Sequence, residues 1–305
     1  MKVAAIQLEP RIGDVRGNLI ACERMANEAG EKGAKWIILP EFFTTGMAFN
    51  PRIASAIQPK NNKVLDLLYD LAKRHQAYVG GSFLMRDEDQ EVRNAFFLVS
   101  PKGIVGRHNK DLPTMWENAF YVGGKDDGII NTDEFSVGAS LCWEFMRSQT
   151  AKRLRGKVDL VVGGSCWWSV PKWQPTSLTK NWEMKNGANA FESVRSFATY
   201  VGAPIIHAAH VGKLECKMLG LPGNYKGFYE AGSMIVDSEG KQHALRNRQR
   251  GEGVVIADIS IGRTNPKKEI PSKYWLHSRG PLPSFAWHYQ RWHGKRWYKK
   301  NIANK

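Results

Sequence analysis

Three residues able to do chemistry stand at or just after the ends of apolar runs. Cys142 closes Phe135-Ser-Val-Gly-Ala-Ser-Leu-Cys142, Glu41 follows Trp36-Ile-Ile-Leu-Pro40, and Lys110 comes shortly after the alternating run Gly103-Ile-Val-Gly-Arg107. The carboxyl ends of strands are where α/β proteins place reactive groups. A thiol is a poor nucleophile until it loses its proton, so it needs a base or a positive field nearby, and Glu41 is the candidate base. A tetrahedral intermediate would put negative charge on oxygen, which a fixed ammonium at Lys110 and the backbone N–H after the nucleophile would stabilise. Pro40 cannot donate to a strand ladder, so the strand ends there and directs Glu41 off the sheet edge. Taken singly, each residue has a plainer reading: a lone buried cysteine packs as a small hydrophobe, and a strand-end glutamate or loop lysine is usually solvated. The set in context points to a thiol hydrolase.

The elements that must position these groups alternate along the chain. Strand-like runs fall at Val3-Leu8, Lys35-Leu39, Ala77-Phe83, Ala95-Val99, Ser136-Leu141, Asp159-Val162, Pro204-Ala209, Ser233-Val236 and Val254-Ile259, separated by longer stretches. Asn18-Gly30 and Lys63-Arg74 have helical spacing. The clearest helix runs from about Asn186 to Tyr200, where Ala190, Phe191, Val194, Phe197, Ala198 and Val201 form a core-facing stripe. There is no solenoid repeat, low-complexity tract or long Pro/Gly/Ser linker. The pattern predicts one α/β domain.

The order Glu, Lys, Cys with these neighbours resembles the nitrilase superfamily of carbon-nitrogen hydrolases. Met1-Lys-Val-Ala-Ala-Ile-Gln-Leu8 is similar to that family's opening strand, Leu39-Pro-Glu-Phe-Phe-Thr-Thr-Gly46 to its base segment, His108-Asn-Lys110 to its lysine segment and Ser140-Leu-Cys-Trp-Glu144 to its nucleophile segment. Arg195-Ser-Phe-Ala-Thr-Tyr-Val201 and Ala231-Gly-Ser-Met-Ile-Val-Asp237 resemble later elements. The resemblance implies a four-layer αββα sandwich over residues 1–280, followed by a basic, aromatic tail at 281–305. It implies Glu41 as general base, Lys110 as oxyanion stabiliser, Cys142 as nucleophile and Glu117 as a second, orienting glutamate. Trp143, Glu144 and Trp167 are expected to contact substrate, Trp167 and its neighbour Trp168 because they end another strand beside the site. The expected reaction is cleavage of a non-peptide carbon-nitrogen bond in a small amide through a covalent cysteine intermediate. Cys142-Trp143-Glu144 leans instead toward nitrile hydrolysis, which is kept as the alternative. Cys166 is a weaker rival nucleophile.

Composition fits a globular enzyme, with 42% hydrophobic and 24% charged residues in 305. No run approaches the ~20 apolar residues of a membrane span, and the start lacks a secretion signal's apolar core, so a soluble cytoplasmic protein is expected. Cys22, Cys142, Cys166 and Cys216 contain no Cys-x-x-Cys pair, which argues against a disulfide scaffold or a zinc knuckle. His207 and His210, three apart on a strand, point to opposite faces. Neither a cofactor nor a metal is expected. The net charge of +15 is concentrated late, where Lys295, Arg296, Lys299, Lys300 and Lys305 interleave with Trp287, Trp292 and Trp297. Such a mixture can bind nucleic acid or an anionic membrane, which would make the chain a non-catalytic polyanion binder. The favoured reading has the tail laid on the body or on a partner subunit of a homodimer or larger homo-oligomer.

Overall fold

The structure, a computed structural model, describes residues 1–173, 175, 177 and 179–303, with Leu282 described by its backbone alone. Lys305 of the basic tail therefore lies outside the described residues.

Two sheets of six strands form the centre. The first runs β5 (Gly103–Asn109), β4 (Val92–Ser100), β3 (Tyr78–Arg86), β2 (Trp36–Ile38), β1 (Lys2–Leu8), β14 (Gly253–Asp258). The second runs β6 (Ile129–Asn131), β7 (Ser136–Leu141), β8 (Leu160–Ser165), β9 (Ile205–His210), β12 (Ser233–Val236), β13 (Gln242–Arg246). They join where β1 and β9 end side by side, with Gln7 opposite Ala209 and Leu8 opposite His210. A separate hairpin, β10 (Lys213–Lys217) with β11 (Asn224–Phe228), stands apart from both.

Period-two alternation creates the layers. Val3 and Ala5 face inward with Ile38 and Leu98, meeting Val137, Ala139, Val162 and Ile206 of the opposite sheet. Ala4 and Ile6 face outward onto α1 (Val15–Glu31) and α3 (Lys63–His75), through Cys22, Met25, Leu68 and Leu71. On the far side Val161 and Ile205 pack against α4 (Ser148–Leu154) and α5 (Lys180–Val201), through Leu154, Val194 and Phe197. The result is the expected αββα sandwich. Each large apolar side chain buried in these layers contributes about 1.5–3 kcal/mol. A short α2 (Pro51–Ser55) follows the Glu41 segment.

The segment read as a tail is helix α6 (Pro281–Asn301). It begins with Pro281, which suits a first helical turn, and buries Trp287, Tyr298 and the following Ile302 in the apolar cluster around Cys142. Gly294 meets the helical turn Met115–Ala119 so closely that a Cβ there would stand 2.7 Å from Asn118 Cβ. Tyr298 Oη accepts from Val92 N at 2.9 Å and donates to Glu91. These contacts lay the helix on its own body.

Candidate active site

Glu41, Lys110, Glu117 and Cys142, separated by up to a hundred residues in sequence, meet where the strands end. Lys110 Nζ donates to Glu41 Oε1 and to Glu117 Oε2, each at 2.8 Å, with all three side chains fully buried. The Cys142 sulfur and one oxygen of each glutamate lie within 4.8 Å of one another. That donor set would suit a cation, and the Lys110 ammonium is the cation bonded there.

Backbone shape brings the groups so close. Among the described non-glycine residues with left-handed φ are Phe42 (54°), Met115 (49°) and Cys142 (52°). They sit at the turns carrying Glu41, Glu117 and the thiol, and such strain persists only where surrounding contacts enforce it. Gly164 is required by close approach, since a Cβ there would lie 2.6 Å from Ala208 O and 3.0 Å from Glu41 N.

Each charge is held by more than its partner. Glu41 Oε1 also accepts from Asn94 Nδ2 at 2.9 Å, and its Oε2 accepts from Cys166 N at 3.0 Å. Cys166 thus serves Glu41 through its backbone. Glu117 Oε2 accepts from Thr114 N at 2.8 Å and Tyr121 Oη at 2.5 Å, while its buried Oε1 has no partner among the described residues. Burial raises the Glu41 carboxyl to about 7, with Lys110 opposing the rise and Glu117 adding to it. Burial alone would lower the Lys110 ammonium, but Glu117 and Glu41 together hold it above its ordinary value. Burial also pushes the Cys142 thiol well up, with Glu41 adding and Lys110 and the Trp143 N–H opposing. The resting pair above pH ~7 is therefore thiol and carboxylate.

A cavity of about 920 Å³, mouth included, opens from Cys142. Trp143, Trp167 and Trp168 line it with Trp116 and Tyr225, and α6 adds Phe285 and Tyr289. Trp116 stacks on Trp168 at 4.2 Å between ring centroids. Trp143 and Trp167 thus stand where substrate contact was expected.

Glu144 does not. Fully buried, it lies 3.0 Å from His108 Nε2, and its oxygens accept from Leu141 N at 2.8 Å and Asp111 N at 2.9 Å. At the tight turn Cys142–Met146 its side chain is turned onto His108 and does not line the cavity. Burial would lower His108, but Glu144 and Asp126 raise it to about 10, so the imidazole is charged. Asn94, Tyr121 and this role of His108 were missed by sequence reasoning. The available signals were a polar residue opening the apolar run Ala95-Val99 and a tyrosine four residues after Glu117. His207 Nε2 meets Ser165 Oγ at 2.8 Å, whereas His210 Nε2 meets Glu41 O at 2.6 Å, so the two rings take separate partners.

The sandwich carries the Glu-Lys-Cys cluster at its strand ends. Residues 2–269 match the family described as Carbon-nitrogen hydrolase, and the chain belongs to it. It is 27% identical over 161 residues to a nitrilase of Pyrococcus abyssi, covering 50% of this chain and 60% of that one. It is 28% identical over 159 residues to the omega-amidase YafV of Yersinia enterocolitica, covering 52% and 57%. These alignments therefore span little more than half of either relative. An amidase from Nesterenkonia sp. AN1 superimposes with a TM-score of 0.66 at 16% identity, over 85% of this chain and 93% of that one, which establishes the shared fold. Among the described residues no helix is long and apolar enough to cross a membrane.

Proposed function

We propose that the chain hydrolyses a small, non-peptide amide through a covalent intermediate on Cys142. The observation that carries this is the Lys110 ammonium bonded at once to Glu41 and Glu117 beside the thiol. Glu41 takes the thiol proton as sulfur attacks the carbonyl carbon, and Lys110 with the Trp143 N–H faces the developing oxyanion. Glu41 returns the proton to the departing nitrogen, releasing ammonia or an amine and leaving a thioester. Water, deprotonated by Glu41, then adds to the thioester and frees the acid and the thiol. The unbonded Glu117 Oε1 is an acceptor for the substrate's N–H or for that water.

Nitrile hydrolysis is the second reading, favoured by Cys142-Trp143-Glu144 and by likeness to a protein named nitrilase. Thiolate addition would give a thioimidate, which water converts to thioester and ammonia before the same final step. The polyanion-binding reading draws its support from the charge of α6 alone, and that helix is packed on the site. We place the enzyme in the cytoplasm as a homo-oligomer, a reading that rests on the family likeness. The deciding experiment is ammonia release across matched amides and nitriles, with intact-mass detection of an acyl adduct. A mass shift on wild type that Cys142→Ala lacks supports the mechanism; turnover without any adduct on Cys142 rejects it.

A further inference from the structure

Among the described residues the cavity at Cys142 has no charged side chain in its walls, yet it adjoins a second cavity that has two. They share Trp143, Trp167, Asn186 and Pro283, and the second adds Lys185 and Arg279 with no Asp or Glu. Arg279 lies against three indoles, its guanidinium carbon 3.6 Å from the Trp275 ring centroid, 5.1 Å from Trp143 and 5.4 Å from Trp287. Its Nε and Nη1 are buried without a hydrogen-bond partner among the described residues. Among the described residues no carboxylate forms an ion pair with Arg279, and the carboxylates beside its neighbour Arg147 are engaged, Asp111 with Arg147 itself and Glu144 with His108. Burial, reinforced by Arg147, lowers Arg279 to about 10, which leaves it charged at neutral pH.

A half-buried cation with no ion-pair partner among the described residues is costly, and indole faces offset only part of that cost. A carboxylate entering the side cavity would meet Arg279 from within and Lys185 at its open end. We propose that this side cavity is an anion subsite, taking a carboxylate at the far end of the substrate's acyl chain while the apolar middle lies on Trp143 and Trp167. The preferred substrate is then an ω-carboxylated amide or nitrile. Arg279 and Pro283 lie beyond the residues that match the family, 2–269, whereas Lys185 lies within them, so this chain's C-terminal segment supplies the inner cation of the subsite. The proposal deepens the hydrolase reading and rests on it.

The test compares ω-carboxylated amides of four to eight carbons with unsubstituted amides of equal length, for wild type, Arg279→Met and Arg279→Lys. The expected outcome is at least a ten-fold preference of wild type, in kcat/KM, for one carboxylated member. That preference should collapse in Arg279→Met through KM and partly return in Arg279→Lys. If Arg279 only staples the tryptophans, both substrate classes will lose activity together and the ratio will stay constant, which overturns the subsite. Calorimetry on Cys142→Ala with adipamic acid and with hexanamide reads the subsite independently of turnover. Stronger binding of the acid, lost in Cys142→Ala/Arg279→Met, sustains the subsite even if wild type hydrolyses nothing and the hydrolase reading falls. Equal binding of the two ligands overturns it.

Discussion

Glu144 Oε2 and His108 Nε2 form a 3.0 Å contact between two fully buried side chains, one on the nucleophile turn and the other on the strand leading to Lys110. Glu144 also accepts from the backbone of both segments, at Leu141 and Asp111, so it ties the thiol's turn to the lysine's loop. Glu144→Ala removes the acceptor of two backbone donors and leaves the His108 imidazolium with Asp126 alone. Breaking a buried pair of this kind costs about 3–5 kcal/mol. Chemical denaturation should show that loss, and at temperatures where the variant is folded kcat should fall more than KM rises. Wild-type stability in Glu144→Ala would remove the tie.

Glu41, Lys110 and Cys142 were legible because apolar runs mark strand ends and because their order and neighbouring residues resemble the carbon-nitrogen hydrolase segments. The sequence could not show what holds those groups. Asn94 reaches Glu41 from β4, 53 residues away, and Tyr121 reaches Glu117 across one turn whose direction depends on Met115's left-handed backbone. Glu144 was expected to contact substrate, but the tight turn at Cys142 sets its side chain against His108 and the Leu141 N–H instead. The last helix was hidden for another reason. Its buried residues, Trp287, Gly294, Tyr298 and the adjoining Ile302, share one face, but the stripe is thin and is masked in the sequence by the exposed Lys295, Arg296, Lys299 and Lys300 around it.

Removing the Lys110 ammonium should harm both chemistry and fold. Lys110→Met leaves Glu41 and Glu117 facing each other without a counter-ion, which drives Glu41 further upward. Turnover should drop by about 10²–10³, the usual cost of losing one oxyanion donor, and the acid limb of the pH profile should move to higher pH. An unchanged kcat with only a raised KM would demote Lys110 to a substrate-binding residue.

The pH dependence follows from the sign of the Glu41 shift. The carboxyl is raised to about 7, so it is protonated and useless as a base below that pH. Above it, the carboxylate is ready to take the thiol proton. The kcat/KM profile should therefore climb as pH rises through about 7. Glu41→Gln should lose that limb together with about 10²–10⁴ of the rate. A wild-type profile that is flat from pH 5.5 to 8.5 would assign the base elsewhere. Cys166→Ala, which leaves the Cys166 N–H on Glu41, should keep the limb, whereas Cys142→Ala and Cys142→Ser should lose turnover altogether, because a hydroxyl at this position is far harder to ionise.

The C-terminal helix offers the sharpest contrast between a tail that serves a partner and one that serves its own site. Phe285 and Tyr289 wall the cavity, Trp287 stacks on Trp143 at 5.3 Å between ring centroids, and Gly294 abuts the turn that carries Glu117. Ending the chain before Pro281 would strip one wall of the cavity and bare the Met115–Ala119 turn to water, so the truncated protein should be less stable and lose most turnover even if its mass in solution is unchanged. Gly294→Leu tests the same contact more gently. A side chain at 294 must push the helix off Asn118, and the expected result is a raised KM and a lower melting temperature in a folded protein. Light scattering with kinetics on both variants separates the cases. A truncated protein that halves its mass yet retains full kcat and KM would assign the helix to a subunit interface.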